Sequence, residues 1–307
     1  MTNKPRIAFC FSWQARTLDQ TYLFFQRNLF DAAKEQWFDY DVFCAVEDDE
    51  DVDKAKLLNP TKVEKIKSSE VRKIIDEKWG SFIENEYSQK YGYSWKGTSV
   101  NILQQFYKIC QSINLKNQYK NEKKISYDIV LKLRFDCPFP RKLNFDNILN
   151  RTRESKRIVL CNRNKMIPSY KYLIKIEDFY FIMNDETSNI LWDIFEKWDI
   201  CFKWFEIKHK KLNSNFEKFE KKLIKMREKI PLRIVVLWIP FSYLYAVFFQ
   251  PISAENLFLN YFKNFGCEVN TDTYITVWFI RDKKNHKTLL FRTHTKKWMF
   301  KKWKYEL

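Results

Sequence analysis

The chain has 307 residues, with 55 Lys and Arg against 38 Asp and Glu, and a formal charge of +17 at pH 7. An apolar fraction of 45% and an aromatic fraction of 18% exclude intrinsic disorder and supply a core for one large domain or two modest ones, while the excess charge calls for a polyanionic partner. The four glycines, Gly80, Gly92, Gly97 and Gly266, exclude glycine-repeat architectures and cannot write a GxGxxG turn or a Walker loop.

Ile7 to Ser12 is apolar on both faces, as in a strand covered on two sides. The apolar run to Trp13 is too short for a signal sequence, so a cytoplasmic protein is expected. A turn at Trp13 to Arg16 leads into a helical stretch, Leu18 to Trp37, with Leu23, Phe24, Phe30 and Ala33 at helical spacing. Asp39 to Val46 is a second strand, which completes a β-α-β opening. It runs into Glu47 to Asp53, where six of seven residues are acidic; this run reads as a solvated loop. Lys54 to Lys96 is mostly charged and reads as surface helix.

Thr98 to Leu115 carries Ile102, Phe106, Ile109, Cys110 and Ile113 on one helical stripe. Ile125 to Phe139 is a strand whose apolar run stops at Arg134-Phe135-Asp136, and Pro138 prevents further ladder pairing. Strands are also expected at Arg157 to Cys161, Asp178 to Met183, Tyr274 to Ile280 and Leu289 to Arg292, with a helix from Glu186 to about Trp198. Lys203 to Lys229 holds ten basic and four acidic residues, and the tail from Arg281 to Leu307 ten and two. Between them Ile234 to Phe249 is uncharged but, with Pro240 near its middle, reads as buried core ahead of a membrane contact or a span. The seven cysteines are odd in number, widely spaced and without a CxxC, so they read as reduced core thiols.

The end of a central strand is where open α/β sheets bind ligands. Alternate strand residues share a side, so Arg134 and Asp136 can address one pocket: a guanidinium for phosphate oxygens and a carboxylate for a divalent cation. A purely structural Arg–Asp pair is the competing reading.

The order of segments resembles that of bacterial and viral glycosyltransferase-like proteins of surface-polysaccharide gene clusters, a group related to the GT-A nucleotide-sugar transferases. The resemblance rests on the strand and small-Gln-x-Arg turn of Ile7 to Arg16, the Tyr40-Asp41-Val42-Phe43 strand, and Tyr127-Asp128 leading to Arg134-Phe135-Asp136. Asp178-Phe179-Tyr180-Phe181, and Glu255-Asn256-Leu257 through Gly266-Cys267-Glu268-Val269, are weaker echoes.

It implies an α/β, GT-A-like fold with a mixed, mainly parallel sheet flanked by helices: a nucleotide-sugar-binding core over residues 1–202, then a basic helical arm, apolar segment and C-terminal subdomain over 203–307. The implied activity is transfer of a sugar from a nucleotide-sugar donor to a cell-surface glycan acceptor (capsule, lipopolysaccharide or lipooligosaccharide). Arg16, Arg134 and Asp136 would hold the donor, Asp136 would ligate Mn²⁺ or Mg²⁺, and Asp178 and Glu255 would serve the acceptor or act as general base. The DxD of the related GT-A transferases is here Arg-x-Asp, so the missing first carboxylate leaves metal dependence open. The basic segments, with Trp298 and Trp303 among lysines, point to peripheral attachment at an anionic membrane surface, on its cytoplasmic face, where a lipid-linked acceptor is presented. Nucleic acid is not the expected partner; a basic nucleic-acid-binding protein and a non-catalytic membrane-surface scaffold are the alternative functions.

Overall fold

The computed structural model describes residues 4–83, 96–164, 175–198, 258, 261–271, 279–283 and 286–290, of which 96–99, 162–164, 175–179, 271, 279–283 and 286–290 are described by backbone alone. Within them lie a seven-stranded sheet of order β3-β2-β1-β4-β6-β5-β7 and a two-stranded hairpin. The strands are β1 (Arg6–Trp13), β2 (Asp39–Glu47), β3 (Lys62–Ile66), β4 (Ile129–Arg134), β5 (Ile158–Asn164), β6 (Lys175–Met183) and β7 (Glu268–Thr271); the hairpin pairs β8 (Phe279–Lys283) with β9 (His286–Leu290). Only β6 opposes its neighbours in the large sheet, so the mixed, mainly parallel α/β architecture expected from the sequence is the one observed.

Strict two-residue alternation builds two cores. Ala8, Cys10, Phe43, Ala45 and Val130 face one side, and Ile7, Phe9, Phe11, Val42, Cys44, Leu131 and Leu133 the other. The first side is covered by α3 (Ser68–Ser81), α4 (Lys96–Lys123) and α6 (Asp185–Trp192), and the second by α1 (Leu18–Phe25), α2 (Asp31–Glu35) and α5 (Phe145–Glu154). The stripe Ile102, Phe106, Ile109, Cys110 and Ile113 is buried as expected, on a helix that runs on to Lys123. A helix with a Gly266 C-cap at φ 69° closes in a Schellman turn, Cys267 N–H to Phe262 O at 2.9 Å and Gly266 N–H to Lys263 O at 3.0 Å, and delivers the chain to β7. Because β7 pairs with β5, and Phe258, Tyr261 and Phe262 fill the first core, the sheet draws on residues from both sides of the expected 202/203 boundary. The basic arm 203–229, the apolar segment 234–249 and Glu255 lie outside the described residues, as does Cys201.

Two local expectations are corrected. Residues 54–96 are not helical throughout: Lys62–Ile66 is an edge strand, and its alternation of Lys, Val, Glu, Lys hides it because only Ile66 is buried. Leu18 to Trp37 is helical but not continuously α: Gln26–Phe30 is a π-helical turn between α1 and α2. Leu23, five positions after Leu18 and so on the opposite face of α1, is 70% exposed, and the inward face reads Leu18, Thr21, Phe25, Asn28, Leu29 and Ala32. Two polar residues belong to that face because each serves a carbonyl of the segment after β4: Thr21 Oγ1 donates to Phe135 O at 2.7 Å and Asn28 Nδ2 to Phe139 O at 2.6 Å.

The six described cysteines are buried thiols, none of them in a disulfide among the described residues. Burial pushes the Cys10 and Cys110 thiols up to about 12, which leaves them neutral and unreactive.

The register across the π turn has a direct test. Leu29→Ala should cost about 2–5 kcal/mol in urea unfolding, whereas Leu23→Ala should stay within about 0.5 kcal/mol; equal costs would place Leu23 in the core instead.

Candidate active site at the strand ends

β1, β2, β3 and β4 run in one direction, but β2 and β3 lie on one side of β1 and β4 on the other. The order therefore reverses between β1 and β4, and the crevice outside their carboxyl ends is the place an open α/β sheet offers to a ligand. Three strand ends meet there: Trp13 closes β1, Glu47 closes β2 and Arg134 closes β4.

Trp13 has φ 112°, a left-handed value that costs a side-chain-bearing residue about 1–3 kcal/mol. Its ring is the platform for two cations, the Arg134 guanidinium at 5.5 Å and the Lys108 ammonium at 5.2 Å from the ring centroid. Each cation is also tied to a carboxylate. Arg134 forms a fork on Asp136, Nε to Oδ1 at 2.9 Å and Nη2 to Oδ2 at 2.7 Å, and the Cys137 thiol adds a third contact to Oδ1 at 3.3 Å. Lys108, 1% exposed on α4, donates to Glu47 Oε2 at 2.6 Å, while Ser68 at the start of α3 donates to Oε1 at 2.6 Å. Burial alone would raise the Glu47 carboxyl; hydrogen bonds from Lys108, Ser68 and Gln14, with the Lys108 charge, outweigh it and hold Glu47 below the ordinary carboxylate value.

The turn carrying Arg134 and Asp136 is fixed from beneath. Phe135 points into the second core and stacks on Phe11 with ring centroids 5.4 Å apart, and its carbonyl takes the Thr21 bond. With Phe135 directed inward, the two flanking side chains turn to the other side and bond each other, both largely buried.

Arg16 lies at the same edge, exposed in the turn between β1 and α1, and its carbonyl accepts from Lys54 Nζ at 2.9 Å. Asp178 is on β6. Because β6 is reversed and Tyr180 is opposite Leu133, Asp178 lies two positions nearer the strand end, beside the Arg134–Asp136 turn in the backbone register. Glu255 is outside the described residues. Trp13, Glu47, Ser68 and Lys108 were not singled out from the sequence. Lys108 carried a signal, since Gln105, Lys108, Ser112 and Lys116 repeat at helical spacing beside the apolar stripe and all are buried. The acidic run is resolved into one structural member, Glu47, followed by a loop and the 3-10 turn Val52–Leu58. Among the described residues no three His, Cys, Asp or Glu side chains are grouped to share a metal ion.

A carboxylate held below its ordinary value stabilises the fold above about pH 4.5 and loses that contribution as pH falls through its folded value. Wild type should therefore exceed Glu47→Gln in urea stability at pH 7, and the gap should shrink as pH falls below the ordinary carboxylate value of 4.5; a gap independent of pH would show that the ionised carboxylate is not what Lys108 and Ser68 recognise.

No protein-family model and no curated protein sequence matches this chain. Solved structures resemble it loosely. Apo mouse xyloside xylosyltransferase 1 shares 12% identity over 61% of this chain and 73% of its own, at a TM-score of 0.33. The galactosyltransferase LgtC, solved with donor and acceptor sugar analogues, shares 10% over 66% of this chain, also at 0.33; the match spans 64% of LgtC, just under two thirds.

Proposed function

We propose that the protein is a glycosyltransferase that moves a sugar from a nucleotide-sugar donor to a cell-surface glycan acceptor. The observation that carries this reading is the convergence of Trp13, Arg134 and Lys108 at the carboxyl ends of β1 and β4, where the strand order reverses. An aromatic ring with fixed cations beside it suits an activated donor, which presents a flat base and a diphosphate. The segment order shared with surface-polysaccharide glycosyltransferase-like proteins supports the same reading.

In this mechanism the chain's own groups bind and orient. Arg134, held in plane by Asp136, meets diphosphate oxygens and stabilises the charge that grows on the departing nucleotide. Arg16, on the exposed turn after β1, adds a second guanidinium. Asp178 and Glu255 are the proposed acceptor-side carboxylates. If the displacement inverts the anomeric centre, one of them takes the proton of the acceptor hydroxyl as oxygen bonds to the sugar.

A panel of UDP, GDP and CMP compounds in a thermal-shift assay tests the donor. At roughly 100 times Kd a ligand adds about 2.7 kcal/mol to the native state, so one nucleotide class should raise the melting temperature, and Asp136→Ala should remove the rise. A mutant that responds like wild type would take Asp136 out of the site.

The basic segments 203–229 and 281–307 support attachment to the cytoplasmic face of a membrane, with a lipid-linked acceptor, at about 1 kcal/mol per Lys or Arg near an anionic surface. Among the described residues no helix is long and apolar enough to cross a membrane. The protein should float with anionic vesicles and sediment with neutral ones; failure to float with either would remove the attachment.

A further inference from the structure

We infer that Arg134 is the resident cation of this strand end and that the site handles its ligand's charge without a divalent metal, an inference that takes its ligand from the reading above. The related GT-A transferases would put Mn²⁺ or Mg²⁺ on the Asp136 carboxylate, and the described side chains around it do not fit that ion. Both Asp136 oxygens accept from Arg134, at 2.9 and 2.7 Å, and the Cys137 thiol takes a further position on Oδ1. A carboxylate offers about four lone-pair sites, and three are used. The pair is sequestered, with side-chain exposures of 13% for Arg134 and 6% for Asp136.

A hard divalent cation needs about six oxygen ligands, several from the protein or its substrate. Glu47, the carboxylate that closes β2, is already bonded through one oxygen to Lys108 and through the other to Ser68. An ion placed at Asp136 would have to displace a two-point charge-assisted contact and then sit beside the guanidinium it displaced, which the Trp13 ring also holds. Mutual repulsion and loss of the fork both oppose it. Asp136 is therefore a positioning residue: it fixes the plane of Arg134 over Trp13, and Arg134 presents the charge that an ion would otherwise supply.

The test separates this inference from the proposed function. Mn²⁺ is titrated against the free protein and its unbound signal followed by electron paramagnetic resonance, for wild type, Asp136→Asn and Arg134→Asp. The inference expects no Mn²⁺ uptake by wild type that depends on Asp136, whereas Arg134→Asp, which removes the guanidinium and adds a second carboxylate, gains a site. Uptake by wild type that Asp136→Asn abolishes would overturn it, and this arm needs only that the wild type and Asp136→Asn fold. In parallel, the nucleotide that stabilises wild type should do so equally in EDTA and in Mn²⁺; stabilisation seen only with Mn²⁺ would also overturn it. If no nucleotide stabilises the protein, the donor reading falls, and the Mn²⁺ titration alone decides the role of Arg134.

Discussion

A strand covered by helices on both faces leaves polar chemistry two outlets, its ends or an internal partner, and β1 and β4 are such strands. Ile7 to Phe11 and Ile129 to Leu131 are fully buried, so no side chain along them reaches solvent. Transfer of an unpaired charge into such surroundings is costly enough that any charge there arrives with a partner. Lys116, buried on α4, donates to Ser188 at 2.8 Å and to Asp185, which Lys120 also reaches. Burial draws the Lys116 ammonium below its ordinary value despite the Asp185 charge. Lys108 meets Glu47 by the same rule. These pairs tie α4 to α6 and to the end of β2.

The strand-end site is a consequence of that constraint. Because β1 cannot spare a residue from either core, the turn that follows it starts abruptly, and Trp13 adopts a left-handed backbone to leave the sheet. Its ring then provides the surface on which two otherwise repelling cations are held, each bonded to a carboxylate. The arrangement is neutral as a group of four charges and has cationic groups against an aromatic face, which favours a planar, anionic ligand over a bare cation.

Much of this was legible in the sequence where a pattern was local. The two-faced strand of β1, the stripe of α4, the Gly266 turn and the Arg134-x-Asp136 spacing each depend on neighbours within a few residues. β3 was not legible, since an edge strand with one buried residue has no period to read. Nor was the π turn, because one extra residue in a helical turn changes no propensity. Lys108 and Glu47 stand 61 positions apart, and nothing in either segment says that the first acid of a charged run has left solvent to meet a helix behind it. The reversal of β6 was likewise invisible, and it brings Asp178 to the edge where the parallel strands end.

The buried thiols have a use of their own. Cys10, Cys110, Cys161 and Cys267 line one core and Cys44 and Cys137 the other, so each side of the sheet carries native labels that a thiol reagent reaches only when that side opens. The order in which they react under mild denaturant would report whether the helical layers detach separately or the sheet comes apart as a single cooperative unit.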